Sequence, residues 1–185
     1  MADDGLVELA RTGEPDAWRA LHRAHAGRLV AWLRTRPTGD AAAEPDDVAA
    51  EAWLVAASKI ADFSGDDDQF AGWLFGIARH LQANARRRTD RRQTSPDGLE
   101  HAANQADTTL VILDQDWMSL LLAQLPPRER DAVGLIDALG LDSRSAAQAL
   151  GVSAVALRVA RHRGLKRLRD LMANEPHPEG APLHP

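Results

Sequence analysis

Apolar residues recur along this chain at three- and four-residue steps, the spacing that gathers them on one face of an α-helix. The first such run spans about Leu6 to Arg36 and is divided at "TGEP", where Pro15 suits a first helical turn. Within it Trp18, Leu21, His22, His25, Leu29, Trp32 and Leu33 share a face. "RPTGD" ends that run. A second helix is predicted from about Pro45 through Ile60, with Val48, Ala52, Val55 and Ala56 as its stripe. After the polar break "DFSGDDDQ" a third is predicted from Phe70. It turns Phe70, Trp73, Leu74, Ile77, Ala78 and Leu81 inward and runs into Arg86, Arg87 and Arg88.

The periodicity then fails. "RRQTSPDGLEHAANQAD" is polar and rich in turn formers, which predicts a flexible linker and a domain boundary. Helix is predicted again from about Thr108 until Pro126 and Pro127, and Pro127 can open the next helix, Arg128 to Leu139. "DSRSAAQAL" predicts a short helix, "GVS" a turn, and Ala154 to Met172 a long helix. The tail "NEPHPEGAPLHP" is dense in proline and is predicted to be disordered. The expected fold is all-α, with two small helical domains at 1–88 and 107–173. The segment 89–106 joins them and 174–185 trails the second.

Composition supports helix and narrows the chemistry. Hydrophobic residues make up 44% of the 185 but aromatics only 4%, so the core must rest on Ala, Leu and Val. The absence of Cys excludes a disulfide framework and any thiolate metal site. His22 and His25 have no third ligand cluster beside them, so neither metal nor cofactor is expected. Acids stand at the N-terminus where a signal peptide needs base, and no run reaches the roughly 18 apolar residues of a membrane span. A soluble, cytoplasmic protein is expected. No Ser/His/Asp spacing, Gly-rich phosphate loop or nucleotide fingerprint is present, so an enzyme is not.

The net charge of -5 hides an uneven distribution. From Ala154 to Arg169 stand Arg158, Arg161, Arg163, Lys166, Arg167 and Arg169 with no acid. Arg79, Arg86, Arg87, Arg88, Arg91 and Arg92 face only Asp90, whereas Asp40, Glu44, Asp46, Asp47 and Glu51 stand together without base. Two basic segments and an acidic one point to separate surfaces for a polyanion and for a second partner.

"SRSAAQALGVSAVALRVARHR" has the layout of a helix-turn-helix. Ala146, Ala147 and Leu150 make a narrow apolar face, and Gly151 can take the positive φ that ends a helix. Val152 is predicted to plug the gap between the helices, and Ser153 to cap the second. That second helix would lie in the major groove, with its N-terminal side chains at base edges and its basic residues on phosphates.

Joined to "LPPRERDAVGLIDALGL" before it and "GLKRLR" after it, this segment resembles the promoter-binding domain of bacterial sigma factors of the extracytoplasmic-function class. "PDDVAAEAWLVAASKIADFSGDDDQFAGWLFGIARHLQANARRR" resembles that family's other domain, and the resemblance covers about Leu6 to Met172. It implies that Asp46, Asp47, Val48, Glu51, Trp53 and Leu54 form a helix that docks on core RNA polymerase. It implies a loop, Phe63 through Gln69 (with Phe63, Ser64 and Gln69 as contacts), that captures a base flipped from the minus-ten element. Arg79, His80, Asn84, Arg86 and Arg87 would meet the same DNA. Ser153, Ala154, Val155, Ala156, Arg158, Arg161, His162, Arg163 and Lys166 would meet the minus-thirty-five element.

The chain departs from the family pattern at Ala50 (usually Gln), His80 (usually Asn) and Arg161 (usually Leu). Ala154, Val155 and Ala156 replace a more polar start of the recognition helix, and offer bases only contact with thymine methyl groups. Asp66, Asp67 and Asp68 would repel phosphate and are better placed to cap the helix that follows. The implied partners are core RNA polymerase, promoter DNA and an anti-sigma factor, which in this family often clamps both domains. The alternative is a stand-alone helix-turn-helix regulator with a helical sensor or dimerisation domain.

Overall fold

A computed structural model describes residues 5–36, 44–93 and 120–174, with the backbone alone for 89–93 and 174. The described residues form helices α1 (Leu6–Arg11), α2 (Pro15–Arg34), α3 (Pro45–Lys59) and α4 (Asp67–Gln93), with a 3-10 turn at Ile60–Asp62. After a helical turn at 120–123 come α5 (Pro127–Val133), which widens into a π turn at Gly134–Ala138, then α6 (Ser143–Leu150) and α7 (Ala154–Asn174). No strand occurs among the described residues. The predicted linker and tail lie outside them, except that 89–93 continue α4 and 174 closes α7. The helix predicted from Thr108 is described only from 120.

Local signals account for most boundaries. Pro15, Pro45 and Pro127 each occupy a first helical turn, where a missing N–H costs nothing. The acid triplet divides its work. Asp66 Oδ1 accepts from Gln69 N at 3.0 Å and caps α4, as predicted for the triplet. Asp67 instead reaches across the fold, where its carboxylate accepts from Leu6 N and Val7 N at 2.7 Å each. It thereby caps α1, whose own preceding residue is Gly5 and makes no side-chain cap. A carboxylate at a helix N-terminus also meets the positive end of the helix dipole.

The inward face of α2 is narrower than the periodicity suggests. Leu21, Leu29, Trp32 and Leu33 are buried and His25 is half-buried, but His22 is exposed, one step round the helix. Val48, Ala52 and Ala56 of α3 pack beneath Phe70, Leu74 and Ala78 of α4 in the same core.

That core does not stop at the N-terminal half. Trp32, Phe70, Leu74 and Phe75 belong to one continuous apolar cluster with Ala132, Leu135, Leu141, Ala146, Ala149 and Leu157. The α4–α6 pair makes the most extensive helix–helix contact among the described residues. Gly72 permits it, because a Cβ there would lie 2.6 Å from the carbonyl oxygen of Ser145 and 2.8 Å from its Cα. Polar links complete the joint. Ser145 Oγ donates to Asp68 O at 2.8 Å, and Arg28 donates to Leu139 O at 2.6 Å.

Arg36 lies 4.6 Å from the centre of the Trp32 ring and pairs with Asp131 at 2.9 Å, both side chains being largely buried. Burial pushes the Asp131 carboxyl up, against the opposing pull of Arg36, Arg130 and Arg79. It pushes the Arg36 guanidinium down, which Asp131 partly offsets. Such a buried pair adds little net stability, but removing one partner alone is costly. A smaller cluster of Leu122, Leu125 and Val133, with Leu165 and Leu168, ties α7 to α5.

Candidate nucleic-acid interface

The helix-turn-helix forms where the sequence places it. Asp142 accepts from Arg144 N at 2.8 Å and from Ser145 N at 3.0 Å, which starts α6. Gly151 ends it at φ 64°, ψ 38°, a conformation that costs a residue with Cβ. Val152 N then donates to Ala147 O and Gly151 N to Gln148 O, both at 3.1 Å, the paired bonds of a Schellman closure. Ser153 Oγ accepts from Ala156 N at 3.2 Å and caps α7. Val152 does not plug the turn: it is 36% exposed, and Leu150 and Leu157 fill the gap instead. Val152 lines the open cleft beside α7.

α7 sits on α5 through Leu157 and Gly164, and a Cβ at Gly164 would come 2.8 Å from Val133 Cγ2. The opposite side of α7 is open. Ser153, Ala154, Val155, Ala156, Arg158, His162, Arg163 and Lys166 are all exposed. Arg161 stands apart. Its Nε and Nη2 donate to the Asp137 carboxylate at 2.8 and 2.6 Å, and those bonds raise its affinity for the proton. Its fork is engaged by protein and not presented outward with the others. Beside this helix lies an open cleft of about 890 Å³, lined by Arg79, Arg128 and Arg163 and by Val152, Ala156 and Val159.

The residues assigned to minus-ten DNA divide into two sets. His80, Asn84, Arg86 and Arg87 are exposed on the far part of α4, with Ser64 exposed and Gln69 half-buried in and after the loop. Arg87 bonds to Asn84 Oδ1. Phe63, by contrast, is only 7% exposed and stacks on Trp73 with ring centres 4.5 Å apart, so it supports the loop from within. Arg79 is half-buried against the C-terminal half, where a Cβ at Gly151 would lie 3.1 Å from its Nη2. The sequence alone does not single out Arg11. Its guanidinium donates to Phe63 O and, at 3.1 Å, to Gly65 O, and so pins the loop to α1. No short-range signal marks that contact.

On α3, Asp46, Asp47 and Glu51 are exposed together and Leu54 is 73% exposed. Asp46 pairs with Arg34 at 3.1 Å across the surface. Val48 belongs to the core and Trp53 is half-buried at 5.0 Å from the His22 ring. Between α2 and α3 runs a groove of about 600 Å³, lined by His22, Val30, Arg34, Ala50 and Trp53 among others. Among the described residues no three His, Asp or Glu side chains gather as a metal site. No described helix is long and apolar enough to cross a membrane.

Comparison with known proteins places both halves. Residues 21–92 match Sigma-70 region 2, and residues 115–168 match Sigma-70, region 4. The chain is 31% identical over 178 residues to the ECF RNA polymerase sigma factor ShbA of Streptomyces griseus, covering 90% of this chain and 93% of that one. Its fold is similar to that of CnrH, solved in complex with the cytosolic domain of CnrY (TM-score 0.66, 22% identity, 92% of this chain and 97% of that one). It is also similar to the sigma factor RpoE of Bartonella quintana, solved with the anti-sigma factor NepR (TM-score 0.63, 22% identity, 87% and 99%). With both regions present in order, and with that relative matched over nearly its whole length, the chain belongs to the extracytoplasmic-function sigma factors of RNA polymerase.

Proposed function

We propose that this sigma factor docks on core RNA polymerase through the exposed face of α3 and reads promoters with α4 and α7. Asp46, Asp47, Glu51 and Leu54 supply the docking contact, acids for basic residues of the polymerase around one apolar anchor. Residues 1–88 act as the polymerase-binding and minus-ten module. His80, Asn84, Arg86 and Arg87 lie along the DNA there, and Ser64 and Gln69 border the flipped base. Residues 107–173 act as the minus-thirty-five module, with Arg158, Arg163 and Lys166 on phosphates. The role is that of a non-catalytic specificity subunit acting in the cytoplasm, where polymerase is. CnrH is solved with the cytosolic domain of CnrY and the sigma factor RpoE with the anti-sigma factor NepR, and an anti-sigma factor is the regulator we expect here.

The observation that carries this reading is the separation of charge. The α3 face is acidic and exposed, while the outward side of α7 is basic and exposed, on different helices of one chain. A single polyanion-binding surface would not need the first. Purified protein added to core polymerase on genomic promoter fragments should direct initiation at a defined subset of start sites. Tight duplex binding by a symmetric dimer, with no effect on core polymerase, would instead make it a stand-alone regulator.

A further inference from the structure

We propose that α7 recognises thymine methyl groups, with Val155 as the residue that determines specificity. Resting on the promoter-binding reading above, it says what the helix detects. The outward side of α7 carries Val155, Arg158, Val159, His162 and Lys166 at helical three- and four-residue steps. Val155 is 60% and Val159 44% exposed. The first turn of the helix offers bases few polar groups, and Arg158, His162 and Lys166 lie further along it. Ser153 Oγ accepts from its own helix, Ala154 and Ala156 have no polar side chain, and Arg161 is held by Asp137. The major groove offers one apolar feature to such a surface, the C5-methyl of thymine.

Deoxyuridine removes that methyl and nothing else. Holoenzyme binding should fall roughly three- to fivefold at one or two thymines of the minus-thirty-five element when each is replaced by deoxyuridine, the loss expected for one buried methyl. Val155→Ala should erase the difference between the two bases. No deoxyuridine effect, or an equal effect in Val155→Ala, overturns the proposal. Failure to form holoenzyme at all would count against the sigma reading instead.

Discussion

Two glycines four residues apart on α4 should respond oppositely to the same added methyl. Gly72 and Gly76 both face α6, and alanine is favoured over glycine in a helix interior by about 1 kcal/mol. At Gly76 the new Cβ would meet Ala149 Cα and O at 3.8 Å, an ordinary contact, so Gly76→Ala should gain roughly that amount. At Gly72 the Cβ would sit 2.6 Å from a backbone oxygen and 2.8 Å from a backbone carbon of Ser145. Backbone cannot rotate away as a side chain can, so α6 must retreat. Overpacking of this kind costs roughly 1–3 kcal/mol, and the Ser145–Asp68 hydrogen bond at 2.8 Å is strained or broken for about 1 more. The net for Gly72→Ala is a loss of roughly 1–3 kcal/mol. For a chain of this size each kcal/mol moves Tm by about 2–4 °C, so thermal melts followed by far-ultraviolet circular dichroism resolve the two. Gly76→Ala should melt above wild type and Gly72→Ala below it. If Gly72→Ala proves as stable as Gly76→Ala, α6 does not pack on α4 at that distance in solution.

The docking face can be tested by charge reversal. Asp47→Lys with Glu51→Lys should abolish co-elution with core polymerase and shift stability by no more than about 0.5 kcal/mol, since both side chains are exposed. Arg158→Glu with Arg163→Glu should weaken promoter binding by the holoenzyme without affecting its assembly. The salt dependence of that binding should become shallower by about 0.9 for each phosphate no longer neutralised. Asp67→Ala should cost roughly 1–2 kcal/mol and speed amide exchange at Leu6 and Val7, whose N–H groups it accepts from. Asp131→Ala leaves Arg36 buried without its partner and should lower the urea midpoint by up to roughly 3–5 kcal/mol of stability, the loss ending where the halves separate and Arg36 is rehydrated.

What the sequence determined by itself is local. Helical spacing, prolines in first turns, Gly151 after α6, and the caps at Asp66 and Ser153 all act within about one helical turn, and each produced the element it predicts. The helix-turn-helix was legible for that reason, as was the family, whose two regions are strings of such local motifs. Burial that depends on a distant partner was not legible. Gly72 interrupts the stripe read along α4, because it serves a second face that exists only once α6 is in place. Asp67 resembles a cap for its own helix and serves one some sixty residues earlier, since a carboxylate accepts from whichever free N–H groups the fold brings within reach. Arg161 reads as one more base for phosphate, yet Asp137 on a neighbouring turn holds both arms of its fork. Arg36 and Asp131, ninety-five residues apart, carry no sequence signal of their pairing. Hydrophobic periodicity specifies which faces must be covered, but it cannot say which helix covers them; packing at contact distance decides that.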